Sequence, residues 1–130
     1  MTQILQPPDW AHPRGYSNGI VMTGRLVFIA GQIGWDAGGQ FYSEDFAGQT
    51  RQALQNIMTI LAEAGGKPEH IARLTWYVVD KADYLASSKK VGGIYRELMG
   101  KHYPVMSVVQ VTALIEDAAK VEIEATAVIP

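Results

Sequence analysis

The 130-residue sequence predicts an α+β domain with helices on one side of a β-sheet. Three observations carry this. Two stretches place apolar residues at helical spacing. Each is followed by a run suited to a strand. The stretch 120–129 alternates between apolar and polar residues. No repeat or low-complexity segment interrupts the pattern, so one domain over 1–130 is expected.

The elements follow in order. Pro7, Pro8, Pro13 and Gly15 mark the first fifteen residues as an irregular arm. Residues 19–33 suggest a hairpin that turns at Thr23-Gly24, with Leu26-Val27-Phe28-Ile29-Ala30 as a buried strand. A loop over 35–40 contains Asp36 and Gly38-Gly39. Ser43 suits a helix N-cap, with Glu44 and Asp45 in a first turn that favours negative charge. Phe46, Ala53, Leu54, Ile57, Leu61 and Ala64 form the apolar stripe of that helix, and Gly65-Gly66 with Pro68 stops it.

Residues 71–79 suit a strand, with Leu74, Trp76 and Val78 on one face. A second helix is expected over 83–99, lined by Tyr84, Val91, Tyr95 and Leu98. Gly92-Gly93 inside it indicates either a helix in two pieces or a kink, or else the close approach of another backbone or a ligand. Residues 105–114 and 120–129 are the last strands, joined by 115–119. The expected order is ββαβαββ.

Composition narrows the function classes. Net charge is −2, and Lys89-Lys90 is the only basic pair, so the basic stripe of a nucleic-acid binder is missing. Cysteine is absent, which excludes disulfides, thiol nucleophiles and thiolate metal sites. No apolar run approaches the roughly 18 residues that span a bilayer. The N-terminal sequence has no basic start and no apolar h-region, so a cytoplasmic protein is expected. His12, His70 and His102 stand at no metal-ligand spacing, and no metal or cofactor is expected. No Gly-x-Ser-x-Gly, P-loop or Gly-x-Gly-x-x-Gly motif occurs.

Three residues stay open on local sequence. Glu122 and Glu124 share one strand face, which suits a solvent-facing edge as well as a site. Tyr16 suits a packed aromatic or a polar-tipped pocket residue.

Five ordered blocks resemble the Rid family, also called the YjgF family. They are Gly15-Tyr16-Ser17-Asn18-Gly19, Phe28-Ile29-Ala30-Gly31-Gln32-Ile33, residues 49–57 (Gln-Thr-Arg-Gln-Ala-Leu-Gln-Asn-Ile), Trp76-Tyr77-Val78-Val79-Asp80 and Val121-Glu122-Ile123-Glu124-Ala125. The resemblance implies a chorismate-mutase-like fold whose sheets pack into a trimeric barrel with helices outside. It implies a homotrimer with a small-molecule pocket at each subunit interface. A sheet whose second face carries Val, Tyr and Met suits such association.

The resemblance also implies roles. A glutamate at Glu122 positions or activates the water that attacks C=N, with Glu124 structural. Tyr16 matches a pocket tyrosine, and Gly31 a glycine whose backbone carbonyl orients substrate or water. Two positions depart from the pattern. Deaminating members carry an arginine at Met106 that grips the substrate carboxylate, and often an asparagine at Gly92. Charged hydrogen bonds of that kind contribute about 1.5–3 kcal/mol each, and a thioether supplies none. Arg14 is either a relocated pocket cation or a surface residue.

Three functions follow as alternatives: a hydrolase releasing ammonia from small imines or enamines with an altered substrate class, a non-catalytic trimer that binds a small molecule as sensor or carrier, or an endoribonuclease. The last needs a basic surface that the composition does not supply.

Overall fold

The computed structural model describes residues 2–130. Strands β1 (Thr2–Leu5) and β2 (Gly19–Met22) pair antiparallel as a two-stranded ribbon. Strands β3 (Arg25–Gln32), β4 (Ile71–Val78), β5 (Val105–Gln110) and β6 (Val121–Ile129) form one sheet in the order β3-β6-β4-β5. β4 and β5 run parallel, and the other neighbours antiparallel. The helices are α1 (Phe46–Glu63), α2 (Lys81–Ala86) and α3 (Ser88–Met99). The α+β class expected from sequence is observed.

Alternation decides which sheet face is covered. Ile29, Leu74, Trp76, Val78, Val121, Ile123, Ala125 and Ala127 point to one side and join a core with Leu54, Ile57 and Leu61 of α1 and Val91, Tyr95 and Met99 of α3. The opposite face is open. Leu26 and Phe28 stand 61% and 75% exposed there.

Several expectations need correction. The arm holds β1, which pairs with β2. The hairpin over 19–33 does not form, because β2 pairs with β1 and β3 with β6. No turn forms at Thr23-Gly24: the chain only bends at Gly24, which has φ +152° and passes against the Ile129 carbonyl, where no Cβ fits. Arg25 then pairs with Ile129, so β3 joins β6 rather than β2. The second helix is in two pieces, broken at Ser87 rather than at Gly92-Gly93, which lie inside α3. Strand β5 ends at Gln110, short of 114. Met106 does not belong to the open face: it is in register with Leu74 and packs on the core side.

The N-cap of α1 is Asp45, not Ser43. The Asp45 carboxylate accepts from the Gly48 N–H at 2.9 Å, and Ser43 Oγ donates to the same oxygen at 2.6 Å. The Ser43 hydroxyl, followed by the Gly48 N–H, holds this carboxyl below the usual range. A depressed folded-state pKa adds stability that is complete above the ordinary value of 3.8 and is lost as pH falls through the folded-state value. Asp45→Ala is therefore expected to lose about 1 kcal/mol near neutral pH and to lose little in acid, as read by urea unfolding at both pH values.

Candidate functional site

Three segments carry the candidate residues. The first is the chain around Tyr16. Ser17 is buried, its N–H donates to the Pro104 carbonyl at 3.1 Å, and its hydroxyl donates to the Tyr103 carbonyl at 2.5 Å. Ser17 also bridges to Val105 at the start of β5. This pins residues 14–16 beside Met106. The second segment is α3. Ser88, Val91, Gly92, Tyr95 and Arg96 recur at i, i+3, i+4, i+7 and i+8, so they share one face.

Together these segments enclose a cleft of about 500 Å³ lined by Arg14, Tyr16, Met106, Trp76, Tyr103 and that α3 face. Tyr95 stacks on Tyr103 with ring centres 6.1 Å apart, and the Tyr95 hydroxyl donates to the His102 carbonyl at 3.0 Å. Burial pushes the Tyr84 and Tyr95 phenols up, so neither offers a base near neutral pH. Tyr16 also borders a second cavity of about 790 Å³, between the β1–β2 ribbon and the open sheet face.

The third segment lies on the other side of the sheet. Strand β3 has one more residue than β6 between the pairs Ile29↔Ala125 and Gln32↔Ile123. This bulge brings Gly31 onto the Glu122 side chain. A Cβ at Gly31 would lie 2.7 Å from the Glu122 carboxyl carbon, so any larger residue there would push the Glu122 side chain aside. Glu124 is engaged differently: the Tyr77 hydroxyl donates to its carboxylate at 2.7 Å, and that bond is the main reason the Tyr77 phenol is raised. The two carboxylates that share a strand face are thus separated by their surroundings. Glu124 is tied to Tyr77, and Glu122 sits on the bulge.

Buried Gln49 helps to fix the strand that carries Glu122. Its side-chain amide donates to the Ala118 carbonyl at 2.9 Å and accepts from the Lys120 N–H at 2.8 Å. Asn56 donates to the Ile33 and Trp35 carbonyls, holding the exit of β3.

One chain does not unite these parts. Arg14, Tyr16 and Met106 share the cleft, and Gly31 and Glu122 meet at the bulge. Tyr77 pairs with Glu122 on β6, while Leu74 pairs with Met106 on β5, so Glu122 and Met106 face opposite sides of the sheet. Two strand spacings, about 10 Å, also separate β6 from β5.

Sequence reasoning missed Arg96, Ser17 and the tyrosine wall. Arg96 was detectable as the i+4 partner of Gly92. Ser17 had no local signal, because its partners lie 86 residues on. The histidines are engaged structurally. His70 Nδ1 accepts from the Lys67 N–H, and His102 Nε2 is 2.6 Å from the Ile71 carbonyl and donates to it, since a carbonyl only accepts. Among the described residues, no helix is long and apolar enough to cross a membrane.

The chain is similar to known proteins over nearly its whole length. The family model described as endoribonuclease L-PSP matches residues 9–129. The chain is 33% identical over 128 residues to a RutC family protein of Pyrococcus horikoshii, covering 98% of both chains. It is 33% identical over 109 residues to a human protein named 2-iminobutanoate/2-iminopropanoate deaminase, covering 83% of this chain and 76% of the relative. The crystal structure of a Rid family protein of unknown function from Yersinia pestis superposes with a TM-score of 0.84 at 32% identity, covering 98% of each chain.

Proposed function

We propose a function from the premise that this chain belongs to the endoribonuclease L-PSP family, also called the Rid or YjgF family: it hydrolyses the C=N bond of small imines or enamines and releases ammonia. The observation that carries this reading is the Glu122–Gly31 pair. A carboxylate seated on a sheet bulge, with its neighbour Glu124 tied to Tyr77, is positioned to handle water.

In this reading the site is completed between copies. Glu122 and Gly31 of one subunit meet Tyr16, Met106 and the α3 cleft of the next. The carboxylate takes a proton from water as its oxygen attacks the C=N carbon. That proton passes to the nitrogen, the hydroxyl proton of the resulting carbinolamine follows it, and as the C–N bond breaks ammonia departs and a carbonyl remains. The exposed Leu26, Phe28 and Val109 support association, since an open apolar sheet face favours burial. We assign a homotrimer, and sedimentation equilibrium at low micromolar concentration is expected to give three times the chain mass. A monomer would overturn the shared site.

The activity is tested by generating imines in place with an amino-acid oxidase and measuring their loss with and without the protein. Gly31→Ala is expected to displace the Glu122 side chain and to lower the rate about 10-fold or more with the trimer intact. Full activity in Gly31→Ala would remove the bulge from the mechanism. Tight retention of a ligand with no C=N hydrolysis would favour a binding protein instead.

A further inference from the structure

We propose that the α3 cleft selects monoanionic carboxylates with an aromatic or comparably bulky apolar body, held by Arg14 and Arg96. This rests on the cleft being the substrate side of the imine site, and it names the substrate class.

The charge is the first argument. Arg14 enters from the segment pinned by Ser17, and Arg96 from the α3 face, so two guanidiniums reach one cleft from two sides. No Asp or Glu lines it. Among the described residues the one ion pair is Arg51–Glu97, so neither cleft arginine has a carboxylate partner. Both are exposed at the mouth of the cleft in the single chain. Guanidinium groups match a carboxylate's two oxygens.

Shape is the second argument. A volume of about 500 Å³ suits a ligand well above three or four carbons. The wall is Trp76, Tyr84, Tyr95 and Tyr103, and the floor is Met106 with Val108. Aromatic faces stack on flat apolar bodies, and a thioether adapts to them. A three- or four-carbon acid would leave most of that wall unused.

Gly92 is the third. Helical side chains lean back toward the helix N-terminus, so Arg96 lies over Gly92. A Cβ at Gly92 would meet only Arg96 Nη1, at 3.5 Å. The missing side chain leaves space for the guanidinium and for the ligand body.

The experiment titrates the purified full-length protein calorimetrically with three probes. Phenylpyruvate is the keto acid left when an aromatic imino acid is hydrolysed. 2-Oxobutanoate keeps the acid and loses the ring. Phenylacetone keeps the ring and loses the acid. Phenylpyruvate is expected to bind about 10-fold more tightly than either. Arg14→Ala and Arg96→Ala are each expected to weaken phenylpyruvate roughly 3- to 10-fold and to leave phenylacetone unchanged. Gly92→Ala places a methyl in the cleft and is expected to weaken phenylpyruvate while sparing 2-oxobutanoate. Equal affinities for the three probes, or phenylpyruvate binding indifferent to both arginines, would overturn the proposal. The titration reads binding and not turnover. Arginine-dependent selectivity therefore stands even if Glu122 does no chemistry. Loss of that selectivity leaves hydrolysis of small imines untouched.

Discussion

Glu122→Gln is expected to remove C=N hydrolysis, by about 10²-fold or more, while the protein stays folded and assembled. The amide keeps the shape of the carboxylate but cannot accept a proton from water. It also still fits over Gly31, where space is tight. Glu124→Gln is the matched control. Its amide oxygen still accepts from the Tyr77 hydroxyl, so the cross-strand bond survives and the rate changes little. Steady-state rates of the three proteins on one imine decide the matter. Equal losses from both variants would mean that the strand face matters and not the bulge. Full activity in Glu122→Gln would take Glu122 out of the reaction.

The contrast between these glutamates shows where sequence stops. Period-2 alternation over 120–129 puts both on one face and cannot separate them, because the separating contacts are Tyr77, 47 residues away, and the β3 bulge. The long periodic elements were legible. The α1 stripe is buried as spaced, and Leu74, Trp76 and Val78 share the covered face. Strand β1 was not legible. Four residues ahead of Pro7-Pro8 are too few to show a period, and their order comes from pairing with β2. The hairpin over 19–33 failed for a related reason. The chain bends at Gly24, but β3 then pairs with β6 from Arg25↔Ile129 onward, a partner more than 100 residues away that local sequence does not show. In the cleft, Arg14 and Tyr16 were candidates without an address. Ser17 supplies it through two bonds to residues 103 and 104.

Met106→Arg is expected to raise kcat/KM on 2-iminobutanoate by about 10- to 100-fold, which is one or two charged hydrogen bonds to the carboxylate at about 1.5 kcal/mol or more each. The position supports this. Met106 is half-buried in the cleft beside Tyr16, and a longer cationic side chain there can reach a small acid that Arg14 and Arg96, at the mouth, hold less closely. The same change should weaken aromatic substrates, because a guanidinium replaces the apolar floor and adds a third positive charge to a cleft that already has two. Like charges in a half-buried space also destabilise, so thermal unfolding of the variant must be followed alongside the kinetics. Met106→Gln separates charge from shape. It keeps the length and adds polarity without a cation, and it should raise neither rate nor affinity on the small acid. A gain in Met106→Gln equal to that in Met106→Arg would show that size or polarity, and not the missing cation, limits this chain on small imino acids. No gain in either variant, with both folded, would mean that the carboxylate is already held elsewhere. Repeating the measurement in the Arg14→Ala background would then test Arg14 as its holder.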